Sequence, residues 1–147
     1  LPLTVIPLLA CLLLAGCGGS GEKLAPVQGT VTLDGNPLAD AMVEFELEPG
    51  DNAYQRTSGS SSRGKTDANG RYTLQYTYDK EGALVGKHVV RITTRSMTID
   101  AEGKEVAVPE RLPPRFNFKS ELTTEVKPGS NTIDLPLQLE ASPAVAE

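Results

Sequence analysis

The sequence predicts an all-β fold, an antiparallel β-sandwich of about seven strands. Apolar and polar residues alternate along Val27–Leu33, Met42–Glu48, Arg71–Tyr78 and Lys87–Arg95, the two-residue period of half-buried strands. The runs are punctuated by Asp34-Gly35-Asn36 and Asp67-Ala68-Asn69-Gly70, whose Gly and Asn residues tolerate positive φ. A chain of 147 residues is long enough for one such core and short for two.

Residues 1–16 precede that domain and read as a leader. Leu1 to Ala15 is almost wholly apolar and uncharged, carries Pro2 and Pro7, and falls short of the roughly 20 apolar residues of a membrane span. It fits the apolar core of an export signal. The ending Leu14-Ala15-Gly16-Cys17 resembles the lipobox of bacterial lipoproteins. The resemblance implies cleavage between Gly16 and Cys17, with small Ala15 and Gly16 side chains admitting the peptidase and the Cys17 thiol taking up a diacylglycerol. Two or three acyl chains, at about 0.8 kcal/mol per buried methylene, hold a protein stably on a bilayer. The cationic start of such leaders is missing before Leu1, as expected if translation begins further upstream. In a Gram-negative-type envelope, Gly18 directly after the cysteine resembles the residue of lipoproteins sent on to the outer membrane. Cys11 would leave with the leader and Cys17 would become a thioether. Residues 17–25 then form the lipidated cysteine and a Gly-rich tether.

The sandwich is expected over residues 26–140. Its first strand, Val27–Leu33, turns Val27, Gly29, Val31 and Leu33 inward. The second, Met42–Glu48, buries Val43, Phe45 and Leu47 and puts Glu44, Glu46 and Glu48 outside. Those carboxylates lie about 7 Å apart along the strand, a spacing open to acid–base or calcium chemistry. A solvated face neutralised by Lys and Arg across the strands is the simpler expectation. Pro49–Arg63 is a long polar loop in which Tyr54 and Arg56 are the residues able to anchor a ligand.

A short strand, Gly64–Thr66, leads to the Asp67–Gly70 turn, where Asp67 caps backbone amides and Gly70 takes the left-handed conformation. Along Arg71–Tyr78, the residues Tyr72, Leu74, Tyr76 and Tyr78 share a face, with hydroxyls reaching water. Asp79–Val85 is a connector. In Lys87–Arg95, His88, Val90 and Ile92 face one way, and His88, the single histidine, has no partner motif and no assigned role. Met97 and Ile99 before Asp100-Ala101-Glu102-Gly103, with Val106 and Val108 after it, predict a protruding hairpin. Pro109, Pro113 and Pro114 then force an extended run. Its Arg111, Arg115 and Phe116, together with Tyr54 and Arg56, are the candidate interaction surface; the competing reading is a crossover covering a sheet edge. Leu122–Val126 and Thr132–Leu139 close the domain, and residues 141–147 are expected to be a disordered tail.

Val27-x-Gly29-x-Val31, Asp34-Gly35-x-Pro37-Leu38, Ala41-x-Val43-x-Phe45, Thr66-Asp67-x-x-Gly70-x-Tyr72-x-Leu74 and Gly86-x-x-x-Val90-x-Ile92 together resemble the carboxypeptidase regulatory-like domains. Pro114-Arg115-Phe116-Asn117 and Ser120-x-Leu122-Thr123-x-Glu125-Val126 resemble small lipoproteins of planctomycete-type bacteria. The resemblance implies a transthyretin-like (prealbumin-like) sandwich and a non-catalytic module. Its motifs are turns and core positions, which specify shape and not activity.

The net charge of -5 and scattered basic residues exclude a nucleic-acid partner. No Ser-His-Asp set, Cys-His pair, metal-ligand cluster or phosphate loop is present in the sequence, so neither an enzyme nor a metal or other cofactor is expected. The function expected is that of a membrane-anchored cell-envelope lipoprotein with a structural or protein-interaction module. Carbohydrate or peptidoglycan binding is the alternative, weakened by aromatics at 5% and the absence of Trp. The partners expected are a membrane through the lipid anchor, and an envelope protein or a glycan.

Overall fold

The computed structural model describes residues 23–49 and 61–140. Among these, the strands are β1 (Leu24–Ala25), β2 (Val27–Leu33), β3 (Asn36–Pro37), β4 (Met42–Leu47), β5 (Ser61–Lys65), β6 (Arg71–Thr73), β7 (Gln75–Thr77), β8 (Lys80–Glu81), β9 (Ala83–Leu84) and β10 (Gly86–Thr93). They continue with β11 (Ser96–Ile99), β12 (Glu105–Val108), β13 (Thr123–Val126), β14 (Asn131–Thr132) and β15 (Leu135–Leu137), with one 3-10 turn at Pro114–Phe116. The protein is an all-β sandwich. One sheet runs β13-β10-β4-β5-β7-β8; the other is built on β2, with β3 and β6 on one side and β14 and β15 on the other.

Alternation places the core between the two sheets. Val27, Val31, Tyr72, Leu74, Leu135 and Leu137 meet Val43, Phe45, Val90 and Ile92, all buried. Each aliphatic side chain removed from water there contributes about 1.5–3 kcal/mol. The outward glutamates of β4 are neutralised across the sheet: Glu44 pairs with Arg63 at 2.8 Å and Glu46 with Arg91 at 3.0 Å. The Asp67 turn forms as its residue types dictate. Asp67 Oδ1 accepts the amides of Asn69 and Arg71, and Gly70 sits at φ 74°.

Several elements differ from the sequence expectation. Leu24 and Ala25, expected in the tether, form β1, which pairs with β9 and buries Ala25 in the core, so the folded domain starts before residue 26; and the connector Asp79–Val85 contains β8 and β9. The strand at Gly64–Thr66 begins earlier, at Ser61, because β5 pairs with β4 down to Glu46↔Ser61. The single strand expected over Arg71–Tyr78 is two. β6 pairs with β2 in one sheet while β7 pairs with β5 in the other, and Leu74, fully buried, is the crossing point. The crossing is close: a Cβ on Gly64 would lie 2.3 Å from Thr73 O. As a result Tyr78 is fully exposed, and the Tyr72 hydroxyl, instead of reaching water, donates to Ile133 O at 2.6 Å. Finally, the chain closes in parallel. β14 and β15 run alongside β2 in the same direction, with Asn131↔Val27 and Leu135↔Val31, whereas the other pairings are antiparallel.

Candidate functional site

The sandwich has two distinct ends. Residue Lys23 enters beside the start of β10: β1 pairs with β9, and Val85 N–H donates to Lys23 O at 2.8 Å. The hairpin β11–β12 leaves from the other end of β10. Eight strand residues separate the two, about 25 Å at the usual rise.

At the hairpin end, Glu110 is the organising side chain. Its carboxylate accepts the Thr94 amide at 3.0 Å, the Thr94 hydroxyl at 2.6 Å and the Leu112 amide at 3.0 Å, and also the Thr93 hydroxyl. Burial opposes the charge, but the hydroxyl and amide donors outweigh it and hold this carboxyl down at about 2. It thereby ties the two feet of the hairpin together. Against this clasp lies a 470 Å³ groove whose lining includes Arg91, Arg95, Leu112, Pro114 and Phe118. The acids around it are already engaged, Glu44 by Arg63, Glu46 by Arg91 and Glu110 by the clasp. The Arg95 side chain makes no ion pair among the described residues, while its backbone amide donates to Glu110 at 3.3 Å. Phe118 is 71% exposed, and the Lys119 ammonium lies 5.8 Å from its ring centre. The lining thus sets two guanidiniums, Arg91 and Arg95, and two carboxylates, Glu44 and Glu110, beside the apolar Leu112, Pro114 and Phe118, a mixed surface of the kind a protein segment can cover.

The residues singled out from sequence fare differently. Gly16 and Cys17, and Tyr54 and Arg56, lie outside the described residues, as do the leader and the tail. Arg111 is exposed at the hairpin end, and it assists Lys65 in holding the Asp40 carboxyl below its ordinary range. Arg115 is exposed but engaged, donating to Gln138 O at 2.7 Å and to Leu139 O. Phe116 is a correction. It is 7% exposed and belongs to the core, because the 3-10 turn at Pro114–Phe116 swings its ring inward while Arg115 covers it at 4.7 Å. Phe118, two residues later, takes the exposed position. His88 is buried, its Nδ1 3.0 Å from Gly86 O and its ring 5.9 Å from that of Phe45. Among the described residues, no group of three or more His, Cys, Asp and Glu side chains is placed to hold a metal ion.

The sequence reading missed Glu110 and Arg95. Glu110 meets its Thr94 partner 16 residues away, and nothing local marks it apart from other surface glutamates.

No curated protein matches the chain. Two solved structures resemble it. A 9R-lipoxygenase from Cyanothece PCC8801 is 17% identical with a TM-score of 0.39, over 78% of this chain and 17% of the lipoxygenase. A candidate carbohydrate binding protein from Pseudomonas aeruginosa is 12% identical with a TM-score of 0.40, over 80% of this chain and 89% of that one. At these values neither carries over a ligand or an activity. The family model of DUF6795, described as a domain of unknown function, matches residues 27–127, and the chain belongs to that family.

Proposed function

We propose that the chain is a bacterial cell-envelope lipoprotein, held on a membrane through Cys17, whose β-sandwich is a non-enzymatic structural or protein-interaction module of the carboxypeptidase regulatory-like kind. The observation that carries this reading is the Leu14-Ala15-Gly16-Cys17 motif a few residues before Lys23, which enters at the end of the sandwich opposite the hairpin. A lipid at Cys17 would leave the groove of Arg95 and Phe118 facing away from the bilayer, where a partner can reach it. The test is membrane fractionation of cells making the parent chain or Cys17→Ser. The parent should sediment with membranes and the variant should be released; equal sedimentation of both would refute the anchor.

Glycan binding is a second reading, favoured by a 630 Å³ polar groove on the outer face of the β2 sheet that includes Gln28, Thr30, Arg71 and Asp134. Its donors and acceptors suit hydroxyl groups, but Tyr72, the aromatic residue lining it, is 3% exposed and offers no stacking platform. Amide shifts confined to this groove on adding a soluble peptidoglycan fragment would favour it over the protein partner.

A further inference from the structure

The hairpin β11–β12 is unsupported. Among the described residues neither strand pairs with a third, and its apolar side chains are exposed: Met97 63%, Ile99 61% and Val106 40%. A two-stranded ribbon without backing is marginal in water, and a bare strand edge invites pairing. We propose that β11 pairs edge to edge with β11 of a second copy of this chain, antiparallel, about a two-fold axis at Thr98.

The backbone sets this register. Asp100 N–H donates to Lys104 O at 3.0 Å across the turn, so by alternation the amides of Thr98 and Ser96 also face β12. The N–H and C=O groups of Met97 and Ile99 therefore point out from the free edge. Centring a second strand on Thr98 sets Met97 opposite the partner's Ile99 and Ile99 opposite the partner's Met97, so the outward donors and acceptors satisfy one another. Directly opposed residues share a face. Met97 and Ile99 of both copies then form a central apolar stripe on the two β11 strands, with Ala107 beside each Met97 and the Glu105 carboxylates at the outer corners beside each Ile99. Shifting the strands by one residue would oppose outward groups to inward ones and split the stripe between the two faces. Met97 and Ile99 stand symmetrically about Thr98, so a second copy presents the matching apolar pair, as an isologous contact requires.

Thr98 then faces the partner's Thr98 in a non-hydrogen-bonded pair, with Cα atoms about 4.5 Å apart, within disulfide reach. Val106 lies one strand further in on each side, about 14 Å from its mate. The experiment compares Thr98→Cys and Val106→Cys in the full chain, in membranes or detergent, under mild oxidation with diamide. Cys11 and Cys17 are common to every sample, so the parent chain sets the background. Thr98→Cys should give a species of twice the chain mass at about ten-fold the parent level, and Val106→Cys should stay at that level. Adding Met97→Pro, which removes an outward donor without touching the β12 ladder, should abolish the crosslink. The proposal is overturned if Thr98→Cys gives no dimer, if Val106→Cys crosslinks equally, if Met97→Pro has no effect, or if the crosslinked product has a mass other than twice the chain.

Discussion

Thr94 donates twice to Glu110, through its amide at 3.0 Å and its hydroxyl at 2.6 Å, and this pair closes the base of the hairpin. Hydrogen bonds to a charged acceptor are each worth about 1.5–3 kcal/mol. Glu110→Ala should lower stability by about 2–3 kcal/mol, measured by urea denaturation, and should speed amide exchange over residues 94–112 more than elsewhere. Unchanged exchange at Thr94 and Leu112 would show that the clasp does not hold the hairpin.

The same carboxylate makes the fold acid-sensitive. With a folded value of about 2, below the ordinary 4.5, Glu110 contributes stability above pH 4.5 that is lost as the pH falls towards 2. His88 adds a second phase with the same sign. Burial lowers its pKa below 6.5, so the unfolded chain binds the proton first and stability declines as the pH drops below 6.5. Thermal melts from pH 7 to 2 should show both phases, and Glu110→Gln should shrink the lower one, leaving the part carried by Asp40, Glu44 and Asp79, whose carboxyls are also held down. A melting temperature flat below pH 6 would contradict both assignments.

Gly29 is required by the parallel closure. A Cβ there would lie 1.8 Å from Ile133 O, so Gly29→Ala must push the closing segment off β2. The expected loss is about 3 kcal/mol. Tyr72→Phe, which removes only the hydroxyl on that carbonyl, should cost about 1–2 kcal/mol. Equal denaturation midpoints for Gly29→Ala and the parent would mean that β14 and β15 do not close on β2 as described.

Arg115→Ala should cost about 1 kcal/mol and raise amide exchange over Leu135–Leu137, because its guanidinium holds the carbonyls of Gln138 and Leu139. Phe116→Ala should cost about 3 kcal/mol, as expected of a core ring. If Phe116 instead tolerated alanine while Phe118→Ala was destabilising, the inward and outward assignments of these two rings would be reversed.

Much of the fold was legible because two-residue alternation is a local property. Val27, Val31, Val43, Phe45, Val90 and Ile92 declare their faces within a few residues, and Asp67 and Gly70 declare their turn. The change of sheet at Leu74 was not legible. The alternation runs on unbroken through Tyr78, and the cause, the approach of Thr73 O to Gly64, lies in another strand. Parallel closure depends likewise on Gly29 admitting Ile133, whose own neighbours look like any strand. For the surface, the Pro109–Phe118 run was recognisable as unusual, but which of Phe116 and Phe118 faces water follows from a single 3-10 turn. Hydrogen bonding across 16 residues gave Glu110 its role, and no short window contains it.

Intact-mass spectrometry of the protein purified from the cells that make it tests the proposed anchor most directly. The prediction is a chain beginning at Cys17, heavier than its sequence by a diacylglyceryl group and, where the new amine is acylated, by one further acyl chain. A free Cys17 thiol, or a mature chain that still carries residues 1–16, would contradict it.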